Sequence, residues 1–172
     1  MKRLVILWLL FVAPAMTAMG DGKIVFSLPD TNGKVHTLGQ YAGKWVVVNY
    51  WATSCPPCIK EIPQLMAFHE KHKDRDAVVL GVDFEDISLA WLKDFMDSMS
   101  MSYPVLPSNP SQVTPFGAVI GLPSTFIISP NGELVARQVG AVTAADLESY
   151  INRKIEAGTA NAPAEKANTK IR

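Results

Sequence analysis

The chain has only two cysteines among its 172 residues, which is too few for the multi-bridge framework of a small secreted scaffold. It also lacks an excess of charge of either sign, because 16 Lys and Arg are balanced by 16 Asp and Glu. Proteins that bind nucleic acid usually carry a clear positive excess, so this balance argues against that class of partner. The hydrophobic content of 48% excludes an intrinsically disordered chain, and the length predicts one domain.

Long apolar runs are also scarce, and the one at the N-terminus is too short to span a bilayer. Residues 4–13 are all apolar, about half of the ~20 residues that a membrane-spanning helix needs. Lys2 and Arg3 precede this run, and small or helix-breaking residues follow it up to Gly20. This layout predicts a secretory signal peptide over residues 1–20, with an uncleaved N-terminal anchor as the alternative. We therefore expect the protein to work outside the cytoplasm, in the periplasm or an equivalent extracytoplasmic compartment.

The C-terminal segment, residues 158–172, is rich in Ala, Asn, Thr and Lys and has one large apolar residue, Ile171. Such a segment cannot bury enough apolar surface to offset the entropy of ordering it. We therefore predict a disordered tail over residues 158–172 and one folded domain over residues 21–157.

The order of patterns along the domain predicts an α/β fold. Asn32-Gly33 and Asn131-Gly132 are turn signals between β-rich stretches, and each predicts a β-hairpin. Two longer apolar, β-rich runs are typical of central strands that are covered on both faces. Periodic apolar residues predict amphipathic helices between and after the strands. The predicted strands are residues 23–28, 34–38, 45–51, 77–84, 104–106, 125–128 and 134–139, and the predicted helices are residues 57–71, 89–99, 112–116 and a last one that follows Thr143.

Both cysteines lie in one short motif, Cys55-Pro56-Pro57-Cys58, where a central strand turns into the first predicted helix. A disulfide across two residues closes a tiny loop, so it removes little entropy from the unfolded chain. At a helix N-terminus, the unpaired N–H groups and the helix dipole favour the thiolate form of the first cysteine. The second cysteine lies one turn along, within reach of a mixed disulfide. This arrangement suits thiol–disulfide exchange better than structural cross-linking.

A metal site is the alternative for two cysteines in such a motif. A structural zinc site needs four ligands, and the other good candidates are His36, His69 and His72. His69 lies eleven residues beyond Cys58 on the same predicted helix, about 16 Å away at ~1.5 Å per residue. It cannot share a metal ion with that sulfur, and we predict no metal site.

The residues around the cysteines resemble the active-site signature of the thioredoxin superfamily. Three further features are similar to the exported TlpA/ResA/CcmG branch: an N-terminal hairpin, an acidic residue shortly after the motif, and an additional strand–helix segment. The resemblance covers residues 22–156 and implies a thioredoxin fold, with a central mixed β-sheet flanked by helices, an N-terminal β-hairpin and a strand–helix insertion. The segments that carry it are Trp51-Ala52-Thr53-Ser54-Cys55-Pro56-Pro57-Cys58, Gly121-Leu122-Pro123-Ser124-Thr125-Phe126 around the family's cis-proline, residues 30–34, Glu61-Ile62-Pro63 and residues 77–100.

The resemblance implies a thiol:disulfide oxidoreductase whose redox group is the cysteine pair itself, with no dissociable cofactor. In this interpretation Cys55 attacks the substrate disulfide and Cys58 resolves the mixed disulfide. Leu122-Pro123 holds the substrate segment as an added strand beside the cysteines. We expect the chain to act as a monomer. The other members of the motif and substrate-binding set are Trp51, Pro56 and Pro57.

Both residues between the cysteines are prolines, so neither has an N–H group to offer to a Cys55 thiolate. With fewer donors the thiolate is less stabilised than in a strongly oxidising relative, and a less stabilised reduced form means a more reducing couple. The sequence therefore favours a reductant of disulfides in other exported proteins. The resemblance suggests apocytochrome c or a copper-centre assembly protein as the substrate and a membrane electron carrier as the donor.

Four polar residues are candidates for acid–base chemistry or for tuning the cysteines. Thioredoxin has a buried Asp six residues before its first cysteine; Asn49 stands there in this chain, and we expect a hydrogen-bonded core amide that cannot act as a base. Glu61 lies one turn beyond Cys58, where a solvated surface carboxylate is the simpler expectation. Glu85 and Asp86 follow the second central strand, where ResA-like relatives carry an active-site Glu, and the sequence does not decide between them. Asp86 also fits the N-cap of the next helix.

The competing class of function is a copper-binding, metallochaperone-like module. Met96, Met99 and Met101 are spaced so that their thioethers could contact Cu(I). Met96 and Met99 also continue the apolar face of the second predicted helix, so core packing is their expected role. A peroxidatic role is a weaker alternative, because both cysteines fit the spacing for exchange. Of the remaining aromatic and imidazole side chains, we expect Trp45, Trp51 and Trp91 in the core or near the site, and His69 and His72 on the solvent side of the first helix.

Overall fold

The computed structural model describes residues 24–110 and 113–160, with side chains described up to residue 157. The signal peptide predicted over residues 1–20 lies outside this part of the chain, as do residues 161–172 of the predicted tail. In chain order the elements are β1 (Ser27–Pro29), β2 (Val35–Thr37), a 3₁₀ helix (Leu38–Tyr41), β3 (Trp45–Trp51), α1 (Pro56–His72), β4 (Ala77–Asp83), α2 (Leu89–Ser98), β5 (Val105–Pro107), β6 (Ser124–Ile128), β7 (Leu134–Val139) and α3 (Ala144–Ala160).

Five strands form a mixed sheet with the order β5-β4-β3-β6-β7. β3 pairs in parallel with β4 and antiparallel with β6, and β4 pairs in parallel with β5. The central strands β3 and β4 are buried along their whole length, as their continuous apolar runs predict. β1 and β2 form a separate antiparallel hairpin, and Gly33 in its turn has a φ of 84°, which favours glycine. The mixed sheet with its flanking helices and N-terminal hairpin confirms the predicted fold class.

The three α-helices pack on one face of the sheet, which we call the helix face. Its core includes Trp51 of β3, Phe68 of α1, Leu92 of α2 and Leu147 of α3. The opposite face is covered by the N-terminal hairpin, the 3₁₀ helix and the segment around Phe116. Because α1 and α2 both connect parallel neighbouring strands in the same direction across the sheet, right-handed crossovers place them on the same face.

One predicted helix is wrong, and one of the tryptophans expected in the core or near the site does not join the core. The predicted helix at residues 112–116 is not formed in its described part, because residues 113–116 are loop and turn. Trp91 is 58% exposed in the first turn of α2 instead of lying in the core. Phe95, one turn later, takes the position against Trp51, with ring centroids 5.7 Å apart.

The expected solvent-facing position of the two α1 histidines is also wrong. His69 is buried, and its Nδ1 accepts a hydrogen bond of 3.1 Å from the Val79 N–H of β4. His72 is buried too, stacks on Phe68 with centroids 4.5 Å apart, and hydrogen-bonds Asp76 through Nδ1 at 2.8 Å. Both side chains therefore join α1 to the end of the sheet.

A close packing contact on the helix face depends on Gly81 in β4. The rings of Tyr103 and Trp51 lie against its backbone, and both residues are almost fully buried. A Cβ atom at Gly81 would lie 2.7 Å from Tyr103 Cε2 and 3.1 Å from Trp51 Nε1. A larger residue here would have to displace the buried ring of Tyr103, which is itself packed against its neighbours.

We expect Gly81→Ala to lower the free energy of unfolding by about 1–3 kcal/mol, the usual cost of overpacking a core. Urea-induced unfolding measures the change. Gly39→Ala is the matched control, because a Cβ atom there would meet only Thr37 Oγ1, at 3.9 Å. The packing argument fails if the two variants unfold at the same urea concentration.

Candidate active site

The cysteine pair lies where β3 ends and α1 begins. β3 ends at Trp51, residues 52–54 follow, and Cys55 is the N-cap of α1. Cys55 and Cys58 form a disulfide with their Cα atoms 5.3 Å apart. Cys55 is partly exposed, whereas Cys58 is 1% exposed. An incoming sulfur can therefore reach Cys55 but not Cys58.

Pro56 and Pro57 occupy the first two positions of α1. Proline suits the first turn of a helix, because its fixed φ matches the helix and its missing N–H would have no partner there. An N-cap side chain normally accepts a hydrogen bond from the N–H at the second or third helical position. Since Pro57 has no N–H, the backbone N–H of Cys58 is the single donor of this kind that remains for the Cys55 sulfur.

The peptide bond between Leu122 and Pro123 is cis, as the resemblance implies. It directly precedes β6, whose first residue, Ser124, pairs with Tyr50 near the end of β3. Antiparallel pairing therefore brings this segment to the edge of the sheet where the cysteine motif begins. Leu122 is partly buried and Pro123 is buried. Trp51 is 1% exposed, so its side chain packs in the core next to the motif and cannot contact a substrate.

A buried hydrogen-bond network lies behind Cys58, between α1 and the sheet. Glu61 is 2% exposed, so its expected solvated position is wrong. Its Oε1 accepts from the Val142 N–H at 2.9 Å, and its Oε2 accepts from Asn49 Nδ2 at 3.3 Å. Asn49 also donates to Thr125 Oγ1 at 3.0 Å, which confirms the expected core amide. The network fixes the carboxyl of Glu61, a residue that follows Cys58 by one turn of α1.

The Glu61 carboxyl is poised to exchange a proton near neutral pH. Burial raises its pKa to about 7, and the hydrogen bonds from Val142 and Asn49 oppose this rise. A group with such a pKa can both accept and release a proton under ordinary conditions. Since Asn49 cannot titrate, Glu61 is the titratable group of this network.

Of the two alternatives, Glu85 and Asp86, it is Glu85 that contacts the residues just before Cys55. Its Oε1 accepts from the Thr53 N–H at 2.5 Å, and its Oε2 accepts from Ser54 Oγ at 3.1 Å. Asp86 is exposed, and it is not the N-cap of α2. That position belongs to Ser88, whose Oγ accepts from the Trp91 N–H at 3.2 Å.

Asp83, the last residue of β4, is a buried carboxyl that the sequence reasoning missed. It is 1% exposed and pairs in register with Trp51. Burial raises its pKa to about 8, and the neighbouring Glu85 contributes to the rise. The available signal was a charged residue at the end of an otherwise apolar strand, two positions after Gly81 and therefore on the same face.

The methionines of the copper hypothesis pack against the helix-face core. Met96, Met99 and Met101 are all partly buried there, which agrees with the packing role expected for Met96 and Met99. Within residues 24–110 and 113–160, no group of three His, Cys, Asp or Glu side chains is arranged to hold a metal ion. No observation on these residues favours a metal-binding function.

Comparison with known families identifies one matching family model. The AhpC/TSA family model matches residues 19–137, which is more than half of the chain. This range includes the cysteine motif, Asn49, Glu61 and the Leu122–Pro123 segment.

Individual relatives agree with this match. The chain is 34% identical over 142 residues to the thiol-disulfide oxidoreductase ResA of Bacillus subtilis (strain 168), covering 83% of this chain and 79% of the relative. It is 30% identical over 141 residues to the ResA of Geobacillus kaustophilus, covering 82% and 80%. Among solved structures, a thiol:disulfide interchange protein of the thioredoxin family from Chlorobium tepidum TLS is similar, with a TM-score of 0.68, 27% identity and coverage of 76% of this chain and 93% of that one.

The raised pKa of Glu61 predicts how stability depends on pH. A carboxyl with a higher pKa in the folded state binds more protons when folded, so the free energy of unfolding falls as pH rises from about 4.5 to about 7. Glu61→Gln removes this titration, and a rotation of the Asn49 amide restores the hydrogen bonds. Between pH 4.5 and 8 we expect the variant to lose less stability than the wild type, by on the order of 2–3 kcal/mol.

Urea unfolding of the oxidised protein at several pH values measures this difference. Glu133→Gln, at an exposed position before β7, is the control and should keep the wild-type pH dependence. An unchanged pH dependence in Glu61→Gln would contradict a titrating Glu61.

Proposed function

The chain belongs to the AhpC/TSA family and is a ResA-like thiol–disulfide oxidoreductase, and on this basis we propose that it reduces disulfide bonds in other exported proteins. The observation that carries the direction of electron flow is the pair of prolines at the first two positions of α1. The cysteine pair is the redox group, and the proposal includes no dissociable cofactor.

The direction follows from how well the fold stabilises the Cys55 thiolate. The α1 dipole lowers the pKa of a thiol at its N-terminus. Stronger stabilisation of the thiolate favours the reduced form and makes a protein more oxidising. Pro56 and Pro57 supply no N–H groups, so this stabilisation is limited and the dithiol gives up its electrons more readily.

The reaction begins at the exposed sulfur. The Cys55 thiolate attacks one sulfur of a substrate disulfide, forms a mixed disulfide and releases the other substrate sulfur as a thiolate. We place the substrate segment against Leu122-Pro123, at the edge of the sheet next to the motif. The released thiolate takes up a proton from solvent.

The second half of the reaction needs the buried sulfur as a nucleophile. Cys58 gives its proton to Glu61, and its thiolate attacks Cys55 Sγ, which releases the reduced substrate and restores the Cys55–Cys58 disulfide. Two electrons have then moved from the dithiol to the substrate. Glu61 is suited to this role because its pKa of about 7 lets it accept the proton and later return it.

We also propose that the protein works outside the cytoplasm. The sequence of residues 1–20 supports an exported protein, whether the segment is cleaved or kept as an anchor. In the part of the chain that the structure describes, no helix is long and apolar enough to cross a bilayer. We propose a monomer that acts on apocytochrome c or a copper-centre assembly protein and is reduced again by a membrane electron donor.

Cys58→Ser is expected to trap the substrate, because the mixed disulfide at Cys55 can no longer be resolved. Covalent complexes should appear on non-reducing gels of the exported fraction and disappear with dithiothreitol, and mass spectrometry identifies the captured protein. Cys55→Ser is the matched control and should trap little, since Cys58 is 1% exposed. Equal trapping by the two variants would reverse the assigned roles, and complexes without either proposed substrate would refute that substrate class.

Pro57→Ala is expected to make the protein more oxidising, because it restores an N–H at the second position of α1. One added hydrogen bond to a thiolate contributes about 1.5–3 kcal/mol, which corresponds to a reduction potential roughly 30–60 mV higher. Equilibration with glutathione or dithiothreitol buffers measures the potential.

Pro56→Ala is the matched control for this shift. Its restored N–H is at the first helical position, which an N-cap side chain does not normally engage, so little change is expected. An equal rise in both alanine variants would contradict the hydrogen-bond argument. A wild-type potential near the ~−120 mV of a strong oxidant would overturn the proposed direction of electron flow.

A further inference from the structure

Two carboxyl groups meet beneath the segment that leads into the cysteine motif. Asp83 ends β4 and is 1% exposed, and Glu85 follows two residues later and is partly buried. The two residues are two positions apart at the end of β4, and the charge of Glu85 and a hydrogen bond with it add to the effect of burial in raising the pKa of Asp83. One carboxyl oxygen of Asp83, Oδ1, is buried and has no hydrogen-bond partner.

Glu85 also binds the two residues that precede Cys55. Its two oxygens accept from the Thr53 N–H at 2.5 Å and from Ser54 Oγ at 3.1 Å. The β3–β4 pairing continues beside it, because the Phe84 N–H donates to the Trp51 carbonyl at 2.8 Å. The end of β4 therefore holds the residues 52–54 segment in place from one side.

The pair carries a single negative charge when one proton is shared. Two ionised carboxylates in contact repel strongly at a site removed from water, so one of them keeps its proton. Asp83 is the more deeply buried, so it is the one that stays neutral, and its O–H can donate to Glu85. Glu85, which is partly exposed, then keeps both of its hydrogen bonds to the segment.

Besides burial, the pKa of Asp83 is raised by one charged neighbour, Glu85. On the adjacent strands the register partners of Asp83 are Trp51 and Pro107, neither of which carries a charge. α2 turns its apolar side toward this face of the sheet. Among the described residues, the other ionisable side chains buried on the helix face, from α1 and from the segment before β5, are Cys58 in the reduced protein, Glu61, His69, His72 and Tyr103.

We propose that Asp83 is a positioning residue for thiol–disulfide exchange: its protonated carboxyl donates to Glu85 and thereby keeps Glu85 bound to Thr53 and Ser54, next to Cys55. This role goes beyond the proposed function, because it applies whichever way the electrons flow.

At alkaline pH this arrangement should come apart, because Asp83 loses its proton. Burial and the nearby Glu85 raise the pKa of Asp83 to about 8, so the proton is held at neutral pH and lost above this value. Ionised Asp83 repels Glu85, which can turn toward water and release the Thr53 N–H. The added negative charge near Cys55 also disfavours its thiolate.

Amide hydrogen exchange of Thr53, followed by NMR on the purified protein from pH 6 to 10, tests the first part. After correction for base-catalysed exchange, protection of Thr53 in the wild type should fall about tenfold through a step near pH 8, as expected for loss of a hydrogen bond to a charged acceptor. Asp83→Asn keeps a donor toward Glu85 but cannot ionise, so its Thr53 protection should show no step. Asp94→Asn, an exposed position on α2, is the control and should keep the step.

A pH profile of Cys55 alkylation in the reduced proteins tests the link to reactivity without any protein substrate. Above pH 8 the rate constant should be several-fold higher in Asp83→Asn than in the wild type, and the two should agree at pH 6. A wild type without the Thr53 step, a step that persists in Asp83→Asn, or parallel alkylation profiles would each overturn the proposal.

Glu85→Gln provides an independent test that does not need Asp83→Asn to fold. Removing the Glu85 charge should lower the pH at which Asp83 titrates, observed through the carboxyl signal of ¹³C-labelled aspartate. The same titration midpoint in Glu85→Gln and the wild type would show that the two carboxyl groups do not share a proton.

Discussion

The parallel pairing of β3 with β4 determines where the groups of the active site lie. Parallel strands bring their carboxyl ends to the same edge of a sheet, so Trp51 and Asp83 end side by side. From this edge β3 continues into the cysteine motif, and β4 continues into Glu85, which binds the residues just before Cys55. The antiparallel β6 starts at the same edge, directly after Leu122-Pro123. Because of the strand order, three chain segments distant in sequence therefore meet at the edge of the sheet where the cysteine motif begins.

The fold and the redox motif could be predicted from sequence because their signals are local. Continuous apolar runs mark the central strands, Asn-Gly turns mark the hairpins, and the cysteine spacing marks the exchange chemistry. The last helix, predicted to follow Thr143, begins there with a capping box, in which Thr143 Oγ1 accepts from the Asp146 N–H at 3.2 Å and Asp146 Oδ2 accepts from the Thr143 N–H at 2.9 Å. Each of these features depends on residues a few positions apart.

The polar residues of α1 are buried although their residue types predict exposure, because their spacing places them on the buried side of the helix. Glu61 and His69 are polar, and polar residues in helices are mostly exposed. Their positions nevertheless continue the apolar stripe of the helix, so burial follows from the 3.6-residue period. What makes the burial tolerable lies elsewhere in the chain, in Asn49, Val142 and Val79, which no local pattern brings together. The buried stripe of α1 consists of Cys58, Glu61, Ile62, Leu65, Phe68, His69 and His72.

The short span of the Cys55–Cys58 bridge has a consequence for the working life of the protein. Because the bridge closes a loop of only a few residues, it removes less entropy from the unfolded chain than a long-range cross-link would. With two cysteines in the whole chain, there is also a single intramolecular pairing to form. A chain with one possible intramolecular pairing has no mispaired intramolecular form, and each turnover makes or breaks that same bond.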